Sequence, residues 1–307
     1  TCDPLTPSQV RYQAAPRPDA GLTWGFPWPN AHENNTALGT VVTNRFPRGR
    51  RRWLDLKCGS RCTVDRMTKT APTFPSGRTS GRAADYQDLT RLLSLMTGDE
   101  KHGPAATSTL DALWVLHDRV LRVSPETVDA PERDRFLLSK GHGPMAYYAV
   151  LAAKGFLAEE LLPGFGSYDS PLGHHPDRTL LPGVEIGSGS LGHGLPLAVG
   201  SALGLRAQGL TEPRVWVLIG DAELDEGSNH EAIAYAGPAG LGQLHTLVID
   251  NASASHGRPG GIVSRFEAAG WSAETVDGRD HEAMYAAFTA PHPGRPRAVV
   301  ARVEPKF

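Results

Sequence analysis

Val215-Trp216-Val217-Leu218-Ile219-Gly220-Asp221 and Leu244-His245-Thr246-Leu247-Val248-Ile249-Asp250-Asn251 decide the architecture. Each is a mainly apolar run that ends on a polar side chain carrying oxygen. Runs of this kind are what strands buried on both faces require. Ala298–Val303 reads as a third strand and Glu274–Val276 as a short fourth. Helical spacing separates and precedes them. Leu110, Leu113, Trp114, Leu116, Val120 and Leu121 place a helix over Thr107–Val123, with Ser108 and Asp111 as a capping box. Pro144–Lys154, Leu195–Gln208 and His281–Phe288 read as further helices, the first two closed by Gly155 and Gly209. Strands alternating with helices predict one α/β domain, a parallel sheet with helices on both faces.

In such sheets ligands bind beyond the carboxyl ends of the strands. Both runs therefore deliver oxygen ligands to that place, Asp221 a carboxylate and Asn251 an amide. Mg²⁺ takes six oxygens at about 2.1 Å and borrows several from phosphates and water. Asp221, Asn251 and a nearby carbonyl would leave positions for a diphosphate. The competing reading has Asp221 capping the next helix.

The chain has 307 residues with a net charge of −2, which gives no reason to expect a nucleic-acid or membrane surface. The near-neutral total hides an asymmetry. Residues 1–66 hold ten Lys/Arg against five Asp/Glu, leaving 21 against 28 in the rest. All three cysteines (Cys2, Cys58, Cys62) lie there, and the first methionine is Met67. Residues 1–66 lack periodicity and read as a disordered or non-native extension, and residues 67–307 as the folded body. Cys58 and Cys62 have no second ligand pair to complete a zinc site. A body without cysteine excludes a thiol nucleophile there and fits a cytoplasmic protein.

Around these ends the sequence resembles the transketolase family. The thirty residues from Asp221 to Asn251 are similar to the thiamine diphosphate signature, Gly-Asp-Gly followed about thirty residues later by Asn. Gly220-Asp221-Ala222-Glu223-Leu224-Asp225-Glu226-Gly227 looks like the transketolase form of it. Arg133-Asp134-Arg135-Phe136-Leu137-Leu138-Ser139-Lys140-Gly141-His142, Gly173-His174-His175-Pro176-Asp177 and Gly189-Ser190-Leu191-Gly192-His193-Gly194 resemble further family segments. So do Phe266–Trp271 and Val276-Asp277-Gly278. The matches run in order from about residue 93 to residue 303.

The resemblance implies a thiamine diphosphate-binding fold and transfer of a two-carbon ketol unit from a ketose to an aldose. Asp221 and Asn251 would hold Mg²⁺, with the Ser253 carbonyl completing the protein ligands. Ala222 would lie at the diphosphate, and Gly189 and Leu191 against the aminopyrimidine. His142 would sit beside the cofactor, and His102 and His175 would serve proton transfer on the sugar. Glu226 would link two active sites across an interface, or else simply complement a helix N-terminus. The family's pyrimidine-binding domain does not follow Phe307, so the chain is expected to be an amino-terminal subunit. It would work with a separate carboxyl-terminal subunit, two of each, on a sugar or sugar phosphate.

The chain departs from the family at several positions. Ala222 stands for Gly, Ser253 and Ser255 for apolar residues, His193 for Gln and His256 for Asp. Lys101-His102-Gly103-Pro104 replaces Gly-His-Pro-Gly, and Gly237-Pro238 interrupts a usual helix. Two alternatives follow. One is a non-catalytic subunit. The other is an NAD-dependent oxidoreductase, with Gly187-x-Gly189-x-x-Gly192 as dinucleotide loop and Glu212 as ribose acid.

Overall fold

The computed structural model describes residues 84–96, 106–254, 257 and 259–305. The reading of residues 1–66, and those of His102, Ser255 and His256, lie outside the described residues.

Five strands form one parallel sheet in the order β1-β2-β3-β5-β4. They are β1 (Arg135–Leu138), β2 (Val215–Gly220), β3 (Leu244–Asp250), β4 (Ser272–Asp277) and β5 (Arg297–Arg302). The α-helices among the described residues are α1 (Asp88–Ser94), α2 (Leu110–Val115), α3 (Met145–Ala153), α4 (Gly194–Ala207), α5 (Gly227–Ala236), α6 (Gly261–Ala268) and α7 (His281–Thr289).

The strand side chains sort by parity, as a period of two requires. Phe136, Leu138, Trp216, Leu218, Leu247, Ile249, Val299 and Ala301 pack in one layer with α1, α2, α3 and α7. Leu137, Val215, Val217, Ile219, Leu244, Val248, Ala298 and Val300 pack in the other with α4, α5 and Phe266 of α6. Each large side chain fully buried in this way contributes roughly 1.5–3 kcal/mol. The expected fold class is thus the observed one.

The differences in detail have local causes. Phe136–Leu138 forms a strand that its apolar run of three did not announce; pairing with β2 from Arg135↔Val215 to Leu138↔Leu218 defines it. The expected helix over Thr107–Val123 is instead α2 followed by a wider π turn at Leu116–Val120. Its capping box is absent. Thr109 is the N-cap, and Asp111 turns away to accept hydrogen bonds from Tyr86 (2.5 Å) and Arg279 (2.6 Å) and to contact His281 Nε2 at 2.7 Å. α5 stops at Ala236 because Gly237 meets another segment. A Cβ on Gly237 would lie 1.7 Å from the Ala269 carbonyl oxygen. Trp271 seals the junction by donating its indole N–H to the Ile233 carbonyl at 2.9 Å.

At the amino ends of β1 and β2, Asp134 is fully buried between two arginines. It accepts from the backbone N–H of Arg122 (3.0 Å) and Arg214 (2.7 Å) and pairs with both guanidiniums. Burial alone would raise its pKa, but these donors together hold it below the ordinary carboxylate value.

Candidate functional site

The carboxyl ends of β1, β2 and β3 converge. Register pairs Gly220 with Ile249, and the Asp221 N–H donates to the Ile249 carbonyl at 3.0 Å, so the β2–β3 pairing runs on into Asp221. Asp221 and Asn251 follow these ends and are 3% and 4% exposed.

The Asp221 side chain does not cap a helix. It precedes the 3₁₀ turn Ala222–Asp225 without any side-chain capping bond, which removes the capping alternative. Its Oδ2 accepts from the N–H groups of Ser253 (2.7 Å) and Ala254 (3.1 Å), and Oδ1 from the Ser253 hydroxyl (2.7 Å). Ala252 makes this possible. Its φ of 54° is the one left-handed value at a non-glycine among the described residues, and it turns the chain so that two successive amides face Asp221. Such a conformation costs roughly 1–2 kcal/mol, and the two amide bonds to a carboxylate offset it. Asn251 Oδ1 is buried and accepts no hydrogen bond. A buried amide oxygen without a donor carries a cost of roughly 1–3 kcal/mol unless something electropositive meets it.

No group of three or more His, Cys, Asp or Glu able to hold a metal exists among the described residues. A cation here would need the mixed set of one carboxylate, one amide oxygen and backbone, which suits a hard ion such as Mg²⁺. The orphaned Asn251 Oδ1 beside Asp221 fits that group. A cleft of about 260 Å³ opens at the carboxylate, with Asp221, Leu224, Ala252, Ala254 and Arg265 among its lining residues.

The second half of the site comes from the long excursion between β1 and β2. Ser139 and Lys140 both donate their N–H to the Leu218 carbonyl (2.9 and 3.2 Å), which lays the Gly141-His142 turn along the end of β2. The rings of His142 and His175 meet edge to face, with centroids 5.2 Å apart. Gly141 and Gly189 flank His175: added Cβ atoms would come within 3.0 and 3.4 Å of its Cδ2. Gly189 has a φ of 128°, open to glycine alone. Leu191, two residues after Gly189, is 40% exposed, an apolar side chain left at the surface. Glu226 stands at the N-cap of α5 with no side-chain capping bond, and its Cβ lies 2.6 Å from where a Cβ on Gly192 would be.

Glu223, quoted only as part of a motif, joins the two halves. It is buried, and its Oε1 accepts from the Ser139 hydroxyl and the Gly192 N–H (2.9 Å), its Oε2 from the Gly220 N–H (3.2 Å). Ser139 Oγ in turn accepts from the Gly194 N–H at 2.9 Å. One carboxylate thus ties the end of β1, the start of α4 and the end of β2. Burial pushes its pKa above the ordinary carboxylate value despite these donors and the nearby Lys140. Its position, two residues after Asp221 and next to the apolar Leu224, was the available signal.

Ala222 is exposed and has no left-handed φ, so its methyl group strains nothing in the backbone. The dinucleotide alternative fails on structure. Residues 183–193 form turns and bends, so Gly187-x-Gly189-x-x-Gly192 follows no strand.

A parallel sheet with carboxylate and amide at adjoining strand ends, and a glycine-lined histidine pair on the excursion between β1 and β2, has the layout of a ligand-binding α/β domain. Residues 88–303 match transketolase, thiamine diphosphate binding domain, and the chain belongs to that family. It is 60% identical over 218 residues to "Ferredoxin fas2" of Rhodococcoides fascians, covering 71% of this chain and 72% of that one. It is 36% identical over 207 residues to one of the subunits of apulose-4-phosphate transketolase from Actinobacillus succinogenes, covering 65% and 75%. The transketolase structure from Leishmania mexicana superposes with a TM-score of 0.61 at 26% identity, over 72% of this chain and 37% of that one. The chain therefore spans little more than a third of that transketolase.

Proposed function

We propose that the chain is the amino-terminal subunit of a thiamine diphosphate- and Mg²⁺-dependent transketolase. Together with a carboxyl-terminal subunit, two of each, it transfers a two-carbon ketol unit between sugars or sugar phosphates. The observation that carries this reading is the pairing of Asp221 with the unsatisfied, buried Asn251 Oδ1 at adjoining strand ends. The likeness to a protein named as one subunit of a transketolase, three-quarters of whose length is matched, supports the split arrangement. Residues 63–307 contain no cysteine to hold an iron–sulfur cluster.

In this reading Asp221, Asn251 and the Ser253 carbonyl would hold the cation, which would supply positive charge to neutralise a diphosphate. Thiamine diphosphate supplies the electron sink for breaking and making the carbon–carbon bond. The chain's own side chains do the rest. The exposed turn at Ala222 lets the backbone approach the diphosphate. Gly189 and Leu191 would pack against the pyrimidine. His142 and His175, with His102, exchange protons with the sugar hydroxyls. Glu226 communicates across the subunit interface. The partner supplies the pyrimidine-binding domain.

Calorimetric titration of the chain with thiamine diphosphate and Mg²⁺, with and without the candidate carboxyl-terminal subunit, tests the reading. Binding that disappears in Asp221→Ala, together with ketol transfer by the complex, is the expected result. No binding by the complex refutes it. Binding without transfer favours a non-catalytic subunit.

A further inference from the structure

We infer that the Ser253 hydroxyl is a latch on the cation site, competing with the metal for Asp221 Oδ1; this rests on the cofactor reading above. A carboxylate offers about four lone-pair positions. Two of those on Asp221 belong to the backbone amides of Ser253 and Ala254, both on Oδ2. That leaves Oδ1 as the oxygen for a cation, and the Ser253 hydroxyl donates to it at 2.7 Å.

The two contacts made by Ser253 are separable. Its N–H bond to Oδ2 is part of the turn set by Ala252 and persists whatever the side chain does. Its hydroxyl bond to Oδ1 depends only on rotation about χ1. Mg²⁺ must approach Oδ1 to about 2.1 Å. The hydroxyl takes one of the two lone-pair positions on Oδ1, and its proton repels an ion approaching the other. The hydroxyl therefore swings aside before the cation seats, and the cation site closes on itself when the cation leaves. Asn251 Oδ1 has no corresponding donor, so the two ligand atoms differ in kind: one is latched and one stands ready.

The test uses the full-length chain in complex with the candidate carboxyl-terminal subunit, thiamine diphosphate and Mn²⁺ as a paramagnetic probe, with free Mn²⁺ counted by electron paramagnetic resonance. Ser253→Ala is expected to tighten Mn²⁺ binding about three- to tenfold, the range spanned by one net hydrogen bond. Ser253→Thr, which restores the hydroxyl, should return it toward the wild-type value. In chelator, Ser253→Ala should unfold at slightly lower urea than wild type, since it loses a bond made only without the cation. Unchanged or weaker Mn²⁺ binding in Ser253→Ala overturns the latch while leaving the cofactor reading intact; weaker binding would make the hydroxyl a ligand. Failure of wild type and Ser253→Ala alike to bind Mn²⁺ refutes the cofactor reading, and the latch with it.

Discussion

Glu223→Ala removes the acceptor shared by three segments. The Gly192 and Gly220 amides, 2.9 and 3.2 Å from the carboxylate, are left buried without partners, and the Ser139 hydroxyl loses its acceptor. An unsatisfied buried donor costs about 1–3 kcal/mol, so the two amides alone predict a loss of about 4 kcal/mol. For a domain of this size that is roughly a 10 °C fall in the unfolding midpoint. Glu223→Gln keeps one oxygen for Ser139 and Gly192 but turns an amide nitrogen toward the Gly220 N–H. Its loss should be about half as large. The two variants also differ from wild type in pH response. Burial raises the pKa of Glu223 in the folded protein above its unfolded value of 4.5. Folding therefore loses stability as pH rises from 4.5 through the folded pKa, and the carboxylate carries that penalty at neutral pH. Glu223→Gln lacks this titration, so its deficit against wild type should shrink as pH rises through the same window. Calorimetric unfolding between about pH 4 and pH 8 measures both effects. A Glu223→Ala midpoint within about 2 °C of wild type would refute the hub.

Asp134→Ala should cost about 2–4 kcal/mol, because it leaves the Arg122 and Arg214 backbone amides without their acceptor at the amino ends of β1 and β2. The Asp134 pKa is held below 3.8 when folded, so the wild-type advantage is complete above 3.8 and fades as pH falls through the folded value; urea midpoints at about pH 7 and about pH 3 compare them. Gly194→Ala would place its Cβ 2.2 Å from Ser139 Cβ and should disrupt the start of α4, seen as faster amide exchange in residues 192–198. Asp280→Ala removes the N-cap acceptor of the Glu282 and Ala283 amides (3.0 Å each) and should cost about 1 kcal/mol in thermal unfolding.

Much of the fold was legible because apolar runs and helical spacing report burial directly. Val215–Ile219 and Leu244–Ile249 became strands β2 and β3, extended by a residue where pairing continued. β1 was hidden because three apolar residues between Arg135 and Ser139 carry no period, and only its ladder with β2 makes it a strand. Asp111 misled because its apparent capping position is local, whereas its partners Arg279 and His281 lie about 170 residues away. At the site, Asp221 and Asn251 could be found because strand ends locate them. Glu223 could not be weighted, since a motif does not say which of its acids points inward. Nor could the spacing foretell that Ser253 would put its hydroxyl, and not only its backbone, on Asp221.

The β1–β2 ladder has a consequence for how the site comes into being. β2, α5 and β3 are contiguous within about thirty-six residues, and β2–β3 pairing closes only a short chain segment. β1 meets β2 across a separation of 80 residues, as between Asp134 and Arg214, with His142, His175, Gly189 and Leu191 all carried on the intervening excursion. Closing the longer loop costs more entropy and is slower. The strand ends carrying Asp221 and Asn251 should therefore meet early in folding, and the histidine half should dock onto them afterwards. A nascent chain would assemble the face carrying Asp221 and Asn251 before the surface carrying His142, His175, Gly189 and Leu191. Pulse-labelled amide exchange would register that order as earlier protection in β2 and β3 than in β1.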